Sequence, residues 1–151
     1  MLIMEVTKSN LTGTQIMQIL RDAKVRPSVH RMAVLEYVSN RRTHPTAEEV
    51  FGALSVDFPT VSRTTVYNSL HTLVDAGVLR ELDIEGTSTR YDLALQVPHS
   101  HFRCTGCGTI YDMALPEGID RMVTPGFKVD ATDLFFAGVC PECLAKTKKE
   151  Y

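Results

Sequence analysis

The chain has 151 residues, of which 44% are hydrophobic and 23% charged, and its formal net charge is -2. This composition is that of an ordinary globular protein and excludes a disordered chain. The charge does not favour a nucleic-acid-binding protein, because such proteins usually carry a basic surface. The N-terminal run 1–4 is interrupted by Glu5, so we expect no signal peptide, no membrane-spanning segment and a cytoplasmic location.

Two helices are predicted at the start of the chain. Apolar residues at helical spacing indicate a first helix over 11–23 and a second helix down to about Asn40. Pro27 is expected to open the second helix at its first position. The face predicted to be buried carries Val29, Met32, Leu35 and Val38.

Two further helices are predicted from their capping residues. Thr46 and Glu49 have the spacing of a capping box, in which each side chain accepts from the other's backbone amide, and a third helix follows. Ser62 is expected to cap a fourth helix, which Gly77 ends.

A β-hairpin is predicted after these helices, from strand-like runs over 78–82 and 89–93 and a turn at Glu85-Gly86. Several helices followed by a two-stranded wing are typical of a winged helix, whose last helix before the wing enters the DNA major groove. That recognition helix would run from about 63 to 76. The predicted DNA contacts lie near its N-terminal end: Arg63, Thr64, Tyr67 and Asn68.

The fold class predicted is α+β, with a winged-helix domain over 1–94, a hinge over 95–98 and a small α/β domain over 99–151. In the second domain, strand-like runs lie around 101–102, 109–111, 127–129 and 134–136. One short helix is predicted between Pro116 and Pro125.

The cysteines form two pairs of the form C-x-x-C: Cys104 and Cys107, and Cys140 and Cys143. In a reducing compartment this spacing favours a metal site over disulfides. Four thiolates suit tetrahedral Zn(II) and leave no open position, which predicts structural zinc. The alternatives are four reduced core cysteines or an iron–sulfur cluster.

A second metal site is a hypothesis from the histidines and aspartates. His99 and His101 alternate along an extended segment and therefore share one face, so that this pair can chelate a metal. The remaining candidates are Asp92, Asp112 and His44. A mixed nitrogen and oxygen ligand set suits Fe(II), Mn(II) or Zn(II). Each residue alone is more often structural.

The pattern Thr65-Val66-Tyr67-Asn68-x-Leu70, the hairpin, the histidine pair and both cysteine pairs resemble the ferric uptake regulator family over nearly the whole chain. The resemblance implies a metal-dependent transcriptional repressor that binds double-stranded DNA as a homodimer at an A/T-rich inverted repeat. It implies a zinc-stabilised dimerisation domain and a regulatory metal whose binding closes the dimer onto DNA. Tyr67 stands at the family's characteristic DNA-contact position.

The ligand set implied by the resemblance is that of the peroxide-sensing branch: His44, Asp92, His99, His101 and Asp112. Iron-sensing members more often have Glu where Asp92 stands. By this analogy, Fe(II) in the site reacts with peroxide and oxidises His44 or His99, which releases DNA, whereas Mn(II) does not. Zn(II) can occupy the same site in vitro.

Two alternatives stay open, and a third is not expected. Within the same class, the protein could be an iron- or manganese-responsive uptake repressor without peroxide sensing. In a different functional class, the protein could be a zinc-ribbon adaptor that binds other proteins. An enzyme would need an open metal position with a positioned acid or base, and the deaminase pattern H-x-E before P-C-x-x-C is absent. We therefore expect no enzyme and no organic substrate.

Two departures from the family pattern stand in the second domain. The segment 130–133 lacks the histidine that many members use for a further metal site, so no such site is predicted. The helix predicted between Pro116 and Pro125 is about one turn shorter than usual.

Overall fold

The computed structural model describes residues 10–41, 43–84, 88–94, 99–130 and 132–147. The chain divides into two compact units, an N-terminal unit, Met1–Val97, and a C-terminal unit, Pro98–Tyr151. The predicted α+β class is confirmed. The predicted hinge at 95–98 and the turn at Glu85-Gly86 lie outside the described residues, and the predicted domain limits stay a prediction. Among the helices described, none has the length and apolar character needed to cross a bilayer.

In the described part of the N-terminal unit four helices come first, as predicted: α1 (Gly13–Asp22), α2 (Val29–Arg41), α3 (Ala47–Asp57) and α4 (Arg63–Asp75). The capping box of α3 is present, since the Thr46 hydroxyl accepts from the Glu49 amide and the Glu49 carboxylate accepts from the Thr46 amide. At α4, the Ser62 hydroxyl accepts from the Thr65 amide over 3.1 Å. Gly77 follows α4 in the left-handed region, with φ 72°.

The start of α2 differs from the prediction. The helix begins at Val29, two residues after Pro27. The Ser28 hydroxyl accepts a hydrogen bond from the Arg31 amide and so satisfies one of the free amides in the first turn of the helix. Val29 is 63% exposed, because it lies in the first turn, beyond the core. The core takes Val34 instead, and it packs with Ile16, Leu20, Leu35, Val50, Val66, Leu70 and Leu73.

A two-stranded wing completes this unit, with β1 (Leu79–Leu82) antiparallel to β2 (Arg90–Leu93). The segment before α3 joins the wing: Thr46 forms a β-bridge with Arg90, and the Tyr91 amide donates to the Pro45 carbonyl over 3.0 Å. The chain at 44–46 is therefore held along β2.

The C-terminal unit is built on a three-stranded sheet of order β4-β3-β5, with β3 (His99–Cys104) in the centre. β4 (Ile110–Ala114) is antiparallel to β3, and β5 (Phe135–Gly138) is parallel to it. A helix, α5 (Pro141–Thr147), follows, which is not among the elements predicted for this domain.

Two predicted elements of this unit differ from what the sequence led us to expect. Between Pro116 and Pro125 the chain forms a single 3-10 turn, Ile119–Met122, rather than an α-helix. None of its residues is buried, so no apolar face stabilises a longer helix. The run 127–129 is not a strand and is exposed along its length. Its β-prone residues pair with neither edge strand of the sheet, β4 or β5, and no burial holds them extended.

Candidate metal centres and nucleic-acid interface

The four cysteines converge within the C-terminal unit. Cys104 ends β3, Cys107 follows in the next turn, and Cys140 and Cys143 lie at the start of α5. All four sulfurs lie within 4.8 Å of one another. Sulfurs bound tetrahedrally at about 2.3 Å from zinc are about 3.8 Å apart. The Cys107 and Cys140 sulfurs are 3.9 Å apart, so this cluster fits a zinc ion without rearrangement of that pair.

The protein favours ionised sulfur at two of these positions. Backbone amides of Cys140 and Cys107 donate to the Cys104 sulfur and lower the pKa of this thiol from 9.0 to about 6. The Tyr111 hydroxyl donates to Cys140, which lowers the pKa of that thiol and raises the pKa of the tyrosine. The pKa of Cys143 is raised to about 12, chiefly by its interaction with Cys140. Cys143 therefore ionises beside its neighbours only if a cation neutralises the negative charge, which is what zinc supplies.

Because Gly106 has no side chain, the first C-x-x-C turn can lie close to the cysteine sulfurs. A Cβ atom at this position would lie 3.1 Å from the Cys143 sulfur and 3.7 Å from that of Cys104. The first C-x-x-C turn therefore passes so close to the sulfurs that a side chain at Gly106 would displace one of them. The turn is shaped around the sulfur cluster, which agrees with a structural zinc centre.

His99, His101 and Asp112 form a second cluster in the same unit. The two imidazoles share one face of β3, as their alternation predicted, with ring centroids 4.6 Å apart. Asp112 lies opposite His101 in the register of β3 and β4. Its Oδ1 is 3.3 Å from Nε2 of His99 and 3.5 Å from Nε2 of His101.

These three side chains fit a divalent metal. Nitrogen and oxygen ligands at about 2.1 Å from one ion, at angles of about 90–110°, are separated by about 3.0–3.4 Å. The observed separations are close to this range. His101 is 2% exposed, and its ring stacks on Phe135 with centroids 5.6 Å apart, so its orientation is set by packing. Aspartate with two imidazoles is a donor set for Fe(II), Mn(II) or Zn(II).

The other two predicted ligands, His44 and Asp92, lie together in the N-terminal unit. Nε2 of His44 is 3.9 Å from Oδ2 of Asp92, and both residues are buried. His44 has φ 50°, in the left-handed region, which is uncommon for residues other than glycine. Asp92 accepts from its neighbour's amide at Leu93 over 2.9 Å and lies 3.4 Å from the Arg80 guanidinium.

The predicted DNA-contact residues share one exposed surface. Arg63, Thr64, Tyr67 and Asn68 are all exposed on α4, while Val66 and Leu70 on the same helix are buried in the core. Tyr67 is 45% exposed, so it is not the partly buried core aromatic that its position alone allowed. The surface offers a cation, two hydroxyls and an amide, which are groups that bind phosphates and base edges.

Three supporting residues were not found from the sequence: Arg90, Tyr111 and Glu48. Arg90 donates to the His44 carbonyl, Tyr111 to Cys140, and Glu48 accepts from Arg63 and Tyr67. Only Tyr111 had a local signal, since it follows the first C-x-x-C pair by four positions. The others depend on contacts between distant segments.

The chain is similar to known proteins over most of its length. The model of the "Ferric uptake regulator family" matches residues 22–134. A "peroxide-responsive repressor PerR" of Staphylococcus aureus (strain USA300) is 39% identical over 131 residues, which cover 84% of this chain and 88% of the relative.

Two solved structures have the same fold. The ferric uptake regulator Fur of Helicobacter pylori has a TM-score of 0.75 at 23% identity, with 91% of this chain and 97% of that chain covered. A Campylobacter jejuni peroxide stress regulator has a TM-score of 0.65 at 24% identity, with 86% and 97% covered. The family match spans most of the described chain and the S. aureus relative most of its length; the chain therefore belongs to the ferric uptake regulator family, whose proteins are transcriptional regulators rather than enzymes.

Proposed function

We propose that this protein is a peroxide-responsive repressor that binds DNA when a divalent metal occupies a site formed by His44, Asp92, His99, His101 and Asp112. The observation that carries the proposal is the grouping of His99, His101 and Asp112 at metal-ligand distances. The 39% identity to a peroxide-responsive repressor supports the peroxide response over plain metal sensing. All five residues are histidine or aspartate, with no cysteine among them, which favours Fe(II) or Mn(II).

A structural zinc ion is assigned to Cys104, Cys107, Cys140 and Cys143. Because the described part of the C-terminal unit buries few apolar residues, among them Cys104, Ile110 and Cys140, the folding energy from zinc binding is needed to stabilise it. We place the protein in the cytoplasm, where thiols stay reduced and available to zinc.

The proposed chemistry of the response is oxidation of an imidazole. Fe(II) held by these histidines and aspartates would supply the electron transfer that activates peroxide, and Mn(II) would not. One oxygen atom of peroxide is added at a ring carbon–hydrogen bond of His44 or His99, and the other leaves as water. Because oxidised imidazole is a poor ligand, metal and then DNA are lost. Binding of one ion by all five residues would couple metal affinity to DNA affinity in both directions.

The proposed DNA contacts are Arg63, Thr64, Tyr67 and Asn68, at an A/T-rich inverted repeat that matches a twofold dimer. Support for a homodimer comes from the C-terminal unit, which leaves large apolar side chains in water. Phe127 is 74% exposed and Met122 is 84% exposed, and Phe136 on the edge strand β5 is 45% exposed. A second copy that covers these side chains would remove the cost of hydrating them.

The deciding experiment is anaerobic fluorescence anisotropy of zinc-loaded protein with an A/T-rich inverted-repeat duplex, at one fixed salt concentration. Binding is measured without a second metal, with Mn(II) and with Fe(II), before and after a small addition of peroxide. We expect binding only with metal, and loss of binding after peroxide only with Fe(II). Peptide mass mapping should then find one added oxygen atom on His44 or His99, and none on the exposed His71.

The other outcomes each contradict a stated part of the proposal. If both metal forms survive peroxide, the protein is an iron- or manganese-responsive uptake repressor. If the protein binds no DNA with any metal, it is not a repressor of this kind, and the zinc-ribbon adaptor remains.

A further inference from the structure

A single carboxylate contacts two of the proposed DNA-contact residues. Both oxygens of Glu48 lie 3.2 Å from Nε of Arg63, which donates to them. The Tyr67 hydroxyl donates to Oε1 of the same carboxylate over 3.3 Å. Glu48 lies in the first turn of α3, and its two partners lie one turn apart on α4, so the three residues join the helices at the exposed surface.

The Arg63 side chain is held by a second contact. Its guanidinium carbon lies 4.5 Å from the centre of the Phe51 ring, which is one turn after Glu48 on α3. Two neighbouring residues of α3 therefore fix one arginine. The contact to Glu48 uses Nε, so the two terminal nitrogens of the guanidinium are left to pair with the two acceptors of a guanine.

Glu48 also stands in a groove of the same surface. The groove has a volume of about 280 Å³ and is lined by Glu48, Tyr67, Ser88, Thr89 and Tyr91, together with Thr46 and Ala47. It runs between the start of α3, the α4 surface and the wing strand. A DNA backbone that followed this surface would bring phosphates towards a carboxylate that is 55% exposed.

A carboxylate in this place affects phosphate contacts more than base contacts. A phosphate competes with Glu48 for the same arginine and is also repelled by its negative charge. A base edge carries no net charge, so a contact from Arg63 or Tyr67 to a base does not meet this repulsion. Binding to DNA of arbitrary sequence depends almost entirely on phosphate contacts.

We infer that Glu48 is a specificity-determining residue, which lowers the affinity of the repressor for DNA of arbitrary sequence by holding Arg63 and Tyr67 away from phosphates. The inference rests on the proposed function, because it needs Arg63 and Tyr67 at the DNA interface. It adds that sequence discrimination depends on an acidic residue of α3, outside the recognition helix α4.

The test is Glu48→Gln, which keeps the length of the side chain and an oxygen acceptor for Arg63 and Tyr67 but removes the charge. Affinity for a random-sequence duplex of about 25 base pairs, measured with Mn(II) and zinc-loaded full-length protein, should rise about two- to fivefold. The salt slope of log affinity should steepen by about one. Affinity for the A/T-rich inverted repeat should rise less, so the ratio between the two duplexes should fall.

Glu36→Gln is the matched control. Glu36 is exposed on α2, lines a separate groove with Asn40 and Asp57, and carries the same charge. It should leave both affinities unchanged. If Glu36→Gln raises random-duplex affinity as much as Glu48→Gln does, the effect comes from net charge and the inference is wrong.

Arg63→Ala separates the inference from the proposed function. When Glu48→Gln is added to the Arg63→Ala variant, the rise in affinity for the random duplex should mostly disappear, because Glu48 acts through Arg63. If wild type binds neither duplex with Mn(II), the proposed function fails. The inference alone fails under a different combination of results. In that case wild type binds DNA and Arg63→Ala weakens the binding, but Glu48→Gln leaves the affinity for the random duplex unchanged or lowers it. Far-ultraviolet circular dichroism checks that each variant is folded.

Discussion

Nη1 of Arg90 donates a 2.9 Å hydrogen bond to the backbone carbonyl of His44, which lies 46 positions earlier in the chain. The same guanidinium lies 4.0 Å from Glu49, the residue that closes the capping box with Thr46. These contacts of a partly buried arginine hold the chain on the C-terminal side of His44, which is in the left-handed conformation, with φ 50°. The Arg90 contact therefore helps to hold the backbone from which the His44 side chain extends.

Replacing Arg90 by Met should destabilise the N-terminal unit. The variant leaves the His44 carbonyl without its charged donor, at a cost of about 1–3 kcal/mol. Urea unfolding followed by circular dichroism measures the change. Mn(II) affinity should also fall, by about 10- to 100-fold, as is typical when a residue that orients a ligand is removed.

Arg41→Met is the control for Arg90→Met. Arg41 is exposed, and its guanidinium lies 5.7 Å from the centre of the Tyr37 ring. It should cost less than about 1 kcal/mol and leave Mn(II) affinity unchanged. Equal losses in the two variants would show that the contact of Arg90 with His44 has no special role.

Removing the Tyr111 hydroxyl should weaken zinc binding. Tyr111→Phe keeps the ring beside Phe102, with centroids 6.5 Å apart, but removes the donor that lowers the pKa of the Cys140 thiol. A thiol with a higher pKa binds zinc less well at neutral pH, because the proton must be displaced. We expect zinc affinity to fall about tenfold in competition with a chromogenic chelator. Tyr37→Phe, in the N-terminal unit, should not change it; an unaltered affinity in Tyr111→Phe would contradict the role of the hydroxyl.

A methyl group at Gly106 should disturb the zinc centre. In Gly106→Ala the new carbon would stand 3.1 Å from the Cys143 sulfur, which a bound ion holds in place. Overpacking of this kind costs about 1–3 kcal/mol. Zinc per chain after dialysis against a chelator should be lower than in wild type. Retention equal to that of wild type would mean that the turn can move away from the sulfurs.

Replacement of a glycine by alanine should be stabilising at Gly52, in the interior of α3. Gly52 is exposed, and a Cβ atom there would meet no atom within 4 Å. Alanine loses less backbone entropy in a helix than glycine does, so Gly52→Ala should stabilise the N-terminal unit by about 0.5–1 kcal/mol. Urea unfolding measures this gain, and zinc retention should stay at the wild-type value. A destabilised Gly52→Ala would show that α3 is strained at this position.

Local patterns in the sequence predicted the four helices of the N-terminal unit and the cysteine cluster. Thr46 with Glu49, and Ser62 with Thr65, form their caps within three positions of the chain, so each cap was visible without knowledge of the fold. The C-x-x-C spacing likewise brings two sulfurs together in one turn. The same reasoning failed over 116–129, where propensity favoured a helix and a strand but no buried surface stabilises either of them.

Only the tertiary structure decided which distant side chains meet. His101 faces Asp112 because β3 and β4 pair in one register, and a shift by one residue would turn Asp112 to the other face. The wing brings Arg90 to the His44 carbonyl, and the packing of α3 on α4 brings Glu48 to Arg63. The sequence by itself determined which donors and ligands exist and how α3 and α4 begin. The pairing of these groups depended on strand register and helix packing, because these contacts join segments that no local pattern relates.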